Sequence, residues 1–151
     1  MKMVLLGTVL VLLVLLGGMS YQNLKMPSNL GLKDGHLAAL ASTPNGVSTE
    51  AQNESKKVAA LPFKGDLKQT QLAALGALAK MGNNQVMLRN EVYVHTVFIT
   101  AKLRFRDDVE LYFDPRQQQV HFRSQSRVGY SDRGVNLARY RQFAKLYTEQ
   151  E

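Results

Sequence analysis

VYVHTVFITAKLRFRDDVELYFDPRQQQVHFR, residues 92–123, alternates apolar and polar side chains with a period of two. That period marks strands, because successive side chains leave a strand on opposite faces. Tyr93, His95, Val97, Ile99, Ala101, Leu103 and Phe105 share one face of the first run, with Thr96, Thr100, Lys102 and Arg104 on the other. Arg106-Asp107 is the first expected turn. Val109, Leu111 and Phe113 then alternate with Asp108, Glu110 and Tyr112. Asp114-Pro115-Arg116-Gln117 is the second expected turn, since Pro presets φ and Asp bonds its own backbone. Val120 and Phe122 alternate with His121 and Arg123. Three strands joined so closely form an antiparallel meander with one apolar and one charged face, and the apolar face needs a cover.

The flanking segments supply that cover. Asp66 is placed to cap a helix, with Gln69 three residues on as in a capping box. Leu67, Leu72, Leu75, Leu78 and Met81, widened by Ala74 and Ala79, give that helix an apolar face, and Gly82-Asn83-Asn84 ends it. Residues 85–89 are a short strand candidate. Beyond the meander, residues 126–134 form a polar, glycine-containing loop. Asn136 is the expected N-cap of a last helix reaching about residue 149, with Leu137, Tyr140, Ala144 and Tyr147 on its apolar side. The fold class is α+β, with the helices packed on one face of the sheet.

Upstream, the character of the chain changes. Residues 58–63 are a short apolar patch broken by Pro62, an edge strand or strap. Residues 26–57 carry Pro, Gly, Ser, Thr and Asn without sustained periodicity and read as an extended linker with local turns. From Met3 through Leu10 and Leu16 to Met19 the chain is apolar except for Thr8, and no charge falls between Lys2 and Lys25. Roughly 20 helical residues span a bilayer core of about 30 Å. Two readings fit: a cleavable signal peptide ending near Gly18-Met19-Ser20, or an uncleaved anchor with Tyr21 at the interface. The anchor is favoured, because bulky Tyr21 sits awkwardly beside a cleavage site. In a bacterium either reading places the rest of the chain in the periplasm. The expected division is a membrane segment over 1–24, a linker over 25–57 and a compact domain over 58–149.

Composition narrows the chemistry. The 151 residues suffice for one domain. There is no Cys, which removes disulfides, thiolate catalysis, Cys-ligated metal and a lipid-modified Cys anchor. Net charge is +7, from 19 basic and 12 acidic residues, but acids are interspersed among the bases, so no nucleic-acid partner is expected.

Residues 123–136, RSQSRVGYSDRGVN, closely resemble the signature R-S-x-S-R-x-G-x-S-D-x-G-x-N of DUF1499, a bacterial and plastid family of unknown function. Ser42-Thr43-Pro44-Asn45 with Val47-Ser48 resembles the family's S-P-N-C-V-S-S element. Leu61-Pro62-Phe63 and Phe105-Arg106-Asp107-Asp108-Val109-Glu110 resemble two further segments, so the likeness covers about residues 29–146. It implies the fold and an envelope location and carries no activity or cofactor. The Cys pair usual in the family is replaced here by Leu40 and Gly46, so packing must hold that segment or leave it loose.

Arg127, Tyr130, Ser131, Arg133 and Asn136 offer donors around a helix N-terminus, which suits an anionic small molecule, with an envelope protein partner as the other expected contact. In the competing structural reading, Arg127 pairs with Asp132 and locks the loop. Ser131 and Asp132 with His121 would make a hydrolase, but no G-x-S-x-G elbow is present, and Ser-Asp in such a loop more often bonds backbone amides. Asp107, Asp108 and Glu110 invite a cation, yet cross-strand pairing with Arg104, Arg106 and Arg123 accounts for them. His95 reads as a hydrogen-bonded core residue and His36 as a linker residue. The expectation is therefore a non-enzymatic envelope binding module without cofactor or metal, with a hydrolase or a purely structural membrane protein as alternatives.

Overall fold

The structure, a computed structural model, describes residues 2–150. In chain order it contains α1 (Lys2–Leu24), β1 (Leu32–Lys33), β2 (His36–Leu37), β3 (Gly46–Ser48), β4 (Leu61–Pro62), α2 (Leu67–Met81), β5 (Asn84–Arg89), β6 (Tyr93–Ile99), β7 (Arg106–Asp114), β8 (Gln119–Ser126) and α3 (Val135–Thr148). The sheet runs β3-β8-β7-β6-β5, all antiparallel, and β4 also pairs with β8. The α+β class and the expected meander are both present.

β6 and β7 are joined differently from expectation. β6 ends at Ile99, and residues 100–105 form the connection, while Arg106 and Asp107 already belong to β7. Thr100 closes this loop by donating its N–H to Phe105 O (2.9 Å) and accepting from Phe105 N at its hydroxyl (2.9 Å). Arg104 adopts the left-handed conformation at φ 56°. Side-chain alternation alone does not register such a local closure, because Leu103 and Phe105 continue the pattern after the strand has stopped.

The helix-covered face of β6 is also the reverse of the expected one. Val94 and Phe98, flanking Thr96, face the helices, in register with Leu111, Asp107 and Val109 of β7. Tyr93, His95 and Val97 lie on the opposite face and are buried there as well. Burial on both faces leaves a nearly continuous apolar strand, and such a strand does not announce which side is the core.

Phe122 at the centre of that core meets Tyr140 edge-on at 5.3 Å and Phe143 at 5.4 Å, and Phe143 stacks on Tyr147 at 5.9 Å. Both tyrosines keep their polar tips satisfied: Tyr140 donates to Ala59 O (2.7 Å) and Tyr147 to Pro62 O (2.8 Å). Those bonds strap residues 58–63 to α3. Phe143, wholly buried, completes the expected face of α3.

α2 has the expected capping box of Asp66 and Gln69. Its rotation differs from expectation. Thr70, Gln71, Ala73, Ala74, Ala77 and Leu78 are buried, whereas Leu72 is 55% exposed and Ala79 is exposed. Gln71 explains the phase, because its amide donates to Asn90 O (2.7 Å) and Glu91 O (3.0 Å) while its carbonyl accepts from Arg89. This clasp onto the β5–β6 turn sets Ala74 and Ala77 inward.

Residues 26–57, expected as a linker, instead cover the second face of the sheet. Gly46–Ser48 pairs with β8, and Val47 joins the core. Leu40 fills the space beside Gly46: a Cβ there would lie 3.0 Å from Leu40 Cδ2 and 2.8 Å from Ser124 O. Packing therefore holds the segment at Leu40 and Gly46, where the resemblance implied a Cys pair. α1, which contains Met3, Leu10, Leu16 and Met19, is long and apolar enough over Leu6–Leu24 to cross a membrane, a property that signal sequences share. The amino-terminal charge lies outside the described residues.

The orientation of α2 can be checked directly. Leu78→Ala is expected to cost about 2–5 kcal/mol, and Leu72→Ala under about 0.5 kcal/mol, by urea unfolding in detergent. Equal losses would contradict this rotation.

Candidate functional site

The signature strand sends its side chains alternately to the two faces of the sheet. Ser124 and Ser126 go to the helix side. There Asn136 accepts from Ser124 Oγ and from Arg139, and it donates to Asn45 O (2.9 Å) and Ser126 Oγ (3.1 Å). Arg139 also reaches Asp107 at 2.6 Å and lies over the Phe98 ring at 4.8 Å. Asn136 is wholly buried and does not cap α3. Asp132 supplies that function by accepting from Gly134 N (3.0 Å) and Asn136 N (2.7 Å).

Arg123, Gln125 and Arg127 serve the other face. Arg123 bonds Glu110 at 2.5 Å and Gln125 at 2.7 Å. Glu110, fully buried, also accepts from Tyr93 Oη (2.6 Å) and from Gly31 N (2.7 Å), which belongs to the covering segment. Burial, reinforced by the Glu110 carboxylate, pushes the Tyr93 phenol well above its ordinary value, so it remains a donor. Arg127 grips Asp108 with two bonds of 2.8 Å, and His95 meets the same carboxylate at 2.8 Å. Burial alone would raise the Asp108 carboxyl, but Arg127 and His95 outweigh it and hold it below the usual range.

Arg127 also extends Nη1 to Asn23 O (3.4 Å) and Leu24 O (3.3 Å), at the end of α1 where the helix dipole favours a cation. Asn23 in turn donates to Arg104 O (2.9 Å) and accepts from Arg106 N (2.8 Å). The helix end is thus bolted to the sheet. Between them lies an open cleft of about 680 Å³, lined on α1 by Gly18, Met19, Tyr21 and Gln22, then by Lys25 to Asn29, and on the sheet side by Asn45, Asp108, Arg123, Gln125 and residues 126–129. Lys25 is exposed and makes no ion pair among the described residues. Arg123 Nε is the one buried side-chain nitrogen or oxygen among them without a hydrogen-bond partner.

The residues singled out in the sequence separate into three groups. Arg127 enters the cleft wall, paired with Asp108 rather than Asp132. Asn136 and Asp132 order the helix start. Tyr130, Ser131 and Arg133 remain exposed, and Ser131 accepts from Arg133 N. His121 bonds Thr49 at 3.2 Å and stacks on Tyr112 at 5.6 Å, so Ser131, Asp132 and His121 do not assemble. Of the three expected cross-strand arginines, Arg123 pairs with Glu110, while Asp107 and Asp108 take Arg139 and Arg127 instead. His95 is buried and bonded as expected. His36, although exposed, meets Glu50 at 2.7 Å, which raises its pKa. Among the described residues no cluster of three His, Asp or Glu is arranged to hold a metal ion. Lys25 and the α1 end were missed as cleft residues; the period-two spacing of Arg123, Gln125 and Arg127 is the signal that could have put the two arginines on one face.

With its signature residues divided in this way, the chain belongs to the family of proteins of unknown function DUF1499, whose model matches residues 36–146. No curated protein and no solved structure matches it.

Glu110→Gln leaves the Arg123 cation buried without its counter-charge and is expected to cost about 3–5 kcal/mol in urea unfolding, with Glu110→Gln/Arg123→Met recovering part of it. A double variant worse than the single one would contradict the pairing. Asp108, whose pKa is depressed by folding, stabilises above the unfolded carboxyl value of about 3.9 and loses that contribution as pH falls through its lower folded value. Asp108→Asn is expected to flatten the acid limb of the stability–pH curve.

Proposed function

We propose that this protein is a non-catalytic, membrane-tethered binding module of the cell envelope, with its sheet domain outside the cytoplasm. Its ligand is an anionic group carried by a small molecule or a partner protein. The observation that carries the reading is the cleft between α1 and the signature strand, which Lys25 and Arg123 both line: Lys25 is exposed, and Arg123 keeps a buried Nε–H without a partner. A buried donor without an acceptor costs about 1–3 kcal/mol, so a ligand oxygen that supplies the acceptor gains binding energy. Arg127 and Asp108 neutralise each other, which leaves Lys25 as the cleft's uncompensated charge. The apolar length of α1 supports the tether.

Thermal unfolding of the full chain in detergent, with inorganic phosphate, glycerol phosphate, citrate or glucuronate added, tests the proposal. A ligand at about 100 times its Kd stabilises by roughly 2.7 kcal/mol. One anion class is expected to raise Tm, and Lys25→Ala to abolish the shift while the unliganded Tm stays put. No shift with any anion would sink the small-ligand form. Ester turnover lost in a folded Ser131→Ala variant would establish the hydrolase instead.

A further inference from the structure

One end of the sheet gathers the β6–β7 connection, the loop before α3 and the last turn of α1. Ile99 pairs with Arg106, and Asp107 with Ser126, so these strand ends are neighbours, and Asn23 and Arg127 tie the α1 terminus to them. This end projects large apolar side chains: Leu103 is 69% exposed, Phe105 37% and Tyr130 76%. They are interleaved with Lys102, Arg104 and Arg133, all exposed, and Lys25 stands beside them. The carboxylates here are occupied, Asp107 by Arg139, Asp108 by Arg127 and Asp132 by the amides of α3. The opposite end differs. There acids and bases mix: Asp114, Asp34 and Glu50 lie close enough to act on His36 or Tyr112, with Arg116 in the same turn and Lys33 beside Asp34.

We infer that the 102–105 tip, with Tyr130 and Arg133, is a membrane-docking face that seats Leu103 and Phe105 at the headgroup level of an anionic leaflet, the one from which α1 emerges. This rests on the tether reading. α1 fixes the position: its last residues flank the cleft, so a bilayer surrounding the preceding apolar turns ends beside this face. The chemistry fixes the partner. Apolar side chains between cations suit the acyl–headgroup boundary, and anionic lipid draws the Lys and Arg side chains. With Tyr21 and Lys25 at the same level, the face holds the cleft mouth against the lipid surface.

The chain has no Trp, so each introduced Trp is a sole indole reporter. The full chain is reconstituted into phosphatidylcholine vesicles with or without phosphatidylglycerol, using brominated lipid as quencher. Three variants are compared: Leu10→Trp in α1, Leu103→Trp at the tip and Arg116→Trp in the far turn. The expected result is quenching of Leu10→Trp and Leu103→Trp but not of Arg116→Trp. Emission from residue 103 shifts to the blue with phosphatidylglycerol, and Lys102→Gln/Arg104→Gln removes that shift. Quenching at residue 10 without quenching at residue 103 would overturn the docking face and leave the tether standing. Equal quenching at 103 and 116 would overturn it as non-specific adsorption. A blue shift indifferent to phosphatidylglycerol would overturn the anionic partner. No quenching at residue 10 would remove the tether and this inference with it.

Discussion

Glu110 and Arg123 face each other across β7 and β8, Glu110 fully buried and Arg123 almost so. Taking two ions out of water costs several kcal/mol each, and their mutual attraction offsets this only when the remaining lone pairs and protons are also satisfied. Tyr93 comes from β6, Gln125 from two residues along the same strand, and the Gly31 amide from the amino-terminal segment. The pair therefore sets conditions on the whole molecule. It requires β6 beside β7 in this register, and it requires the chain ahead of the sheet to fold back over it. Much of what the segment before α2 does follows from keeping this charge pair dry and bonded.

The same strand pairing organises the helix side by different means. One residue along from Arg123, Ser124 joins Asn136 and Arg139. Asp107, one residue before Asp108, answers Arg139. Successive residues of two adjacent strands thus feed polar networks on opposite faces, the helix-side one sharing its face with the apolar core residues Val109, Leu111 and Phe122. Asn45 joins the S-P-N segment to both ends of the signature through Ser126, Gly129 and Asn136. The family motifs are distant in sequence because each is one side of a shared joint.

α1 is joined to this framework rather than trailing from it. Asn23 uses its side-chain amide as a two-pronged clamp on the β6–β7 connection, and Arg127 meets the last carbonyls of the helix. Arg127 links two roles in one side chain, since its other nitrogens neutralise Asp108. The orientation of the domain relative to the helix is consequently set by short polar contacts at a single strand end. That arrangement leaves the cleft beside the helix open.

The residues by themselves determined the meander, the Asp66–Gln69 cap of α2, the turn at Asp114, the apolar length of α1 and the family signature. Each is written in local spacing, and local backbone sterics and hydrogen bonding enforce them. They also marked Arg123 as a strand-pairing cation. Tertiary structure alone decided which face of β6 meets the helices, because both faces of that strand are buried and its alternation does not say which one is the core. It decided the rotation of α2 through Gln71, and it turned an apparent linker into the lid over Glu110. It chose Asp108 over Asp132 for Arg127, and it placed Lys25 and the end of α1 beside the signature. Those choices depend on partners up to about a hundred residues away, such as Arg127 with Asn23 and Leu24. A buried charge takes whichever counter-charge the closed fold brings within reach, since leaving it unpaired costs more than any local preference.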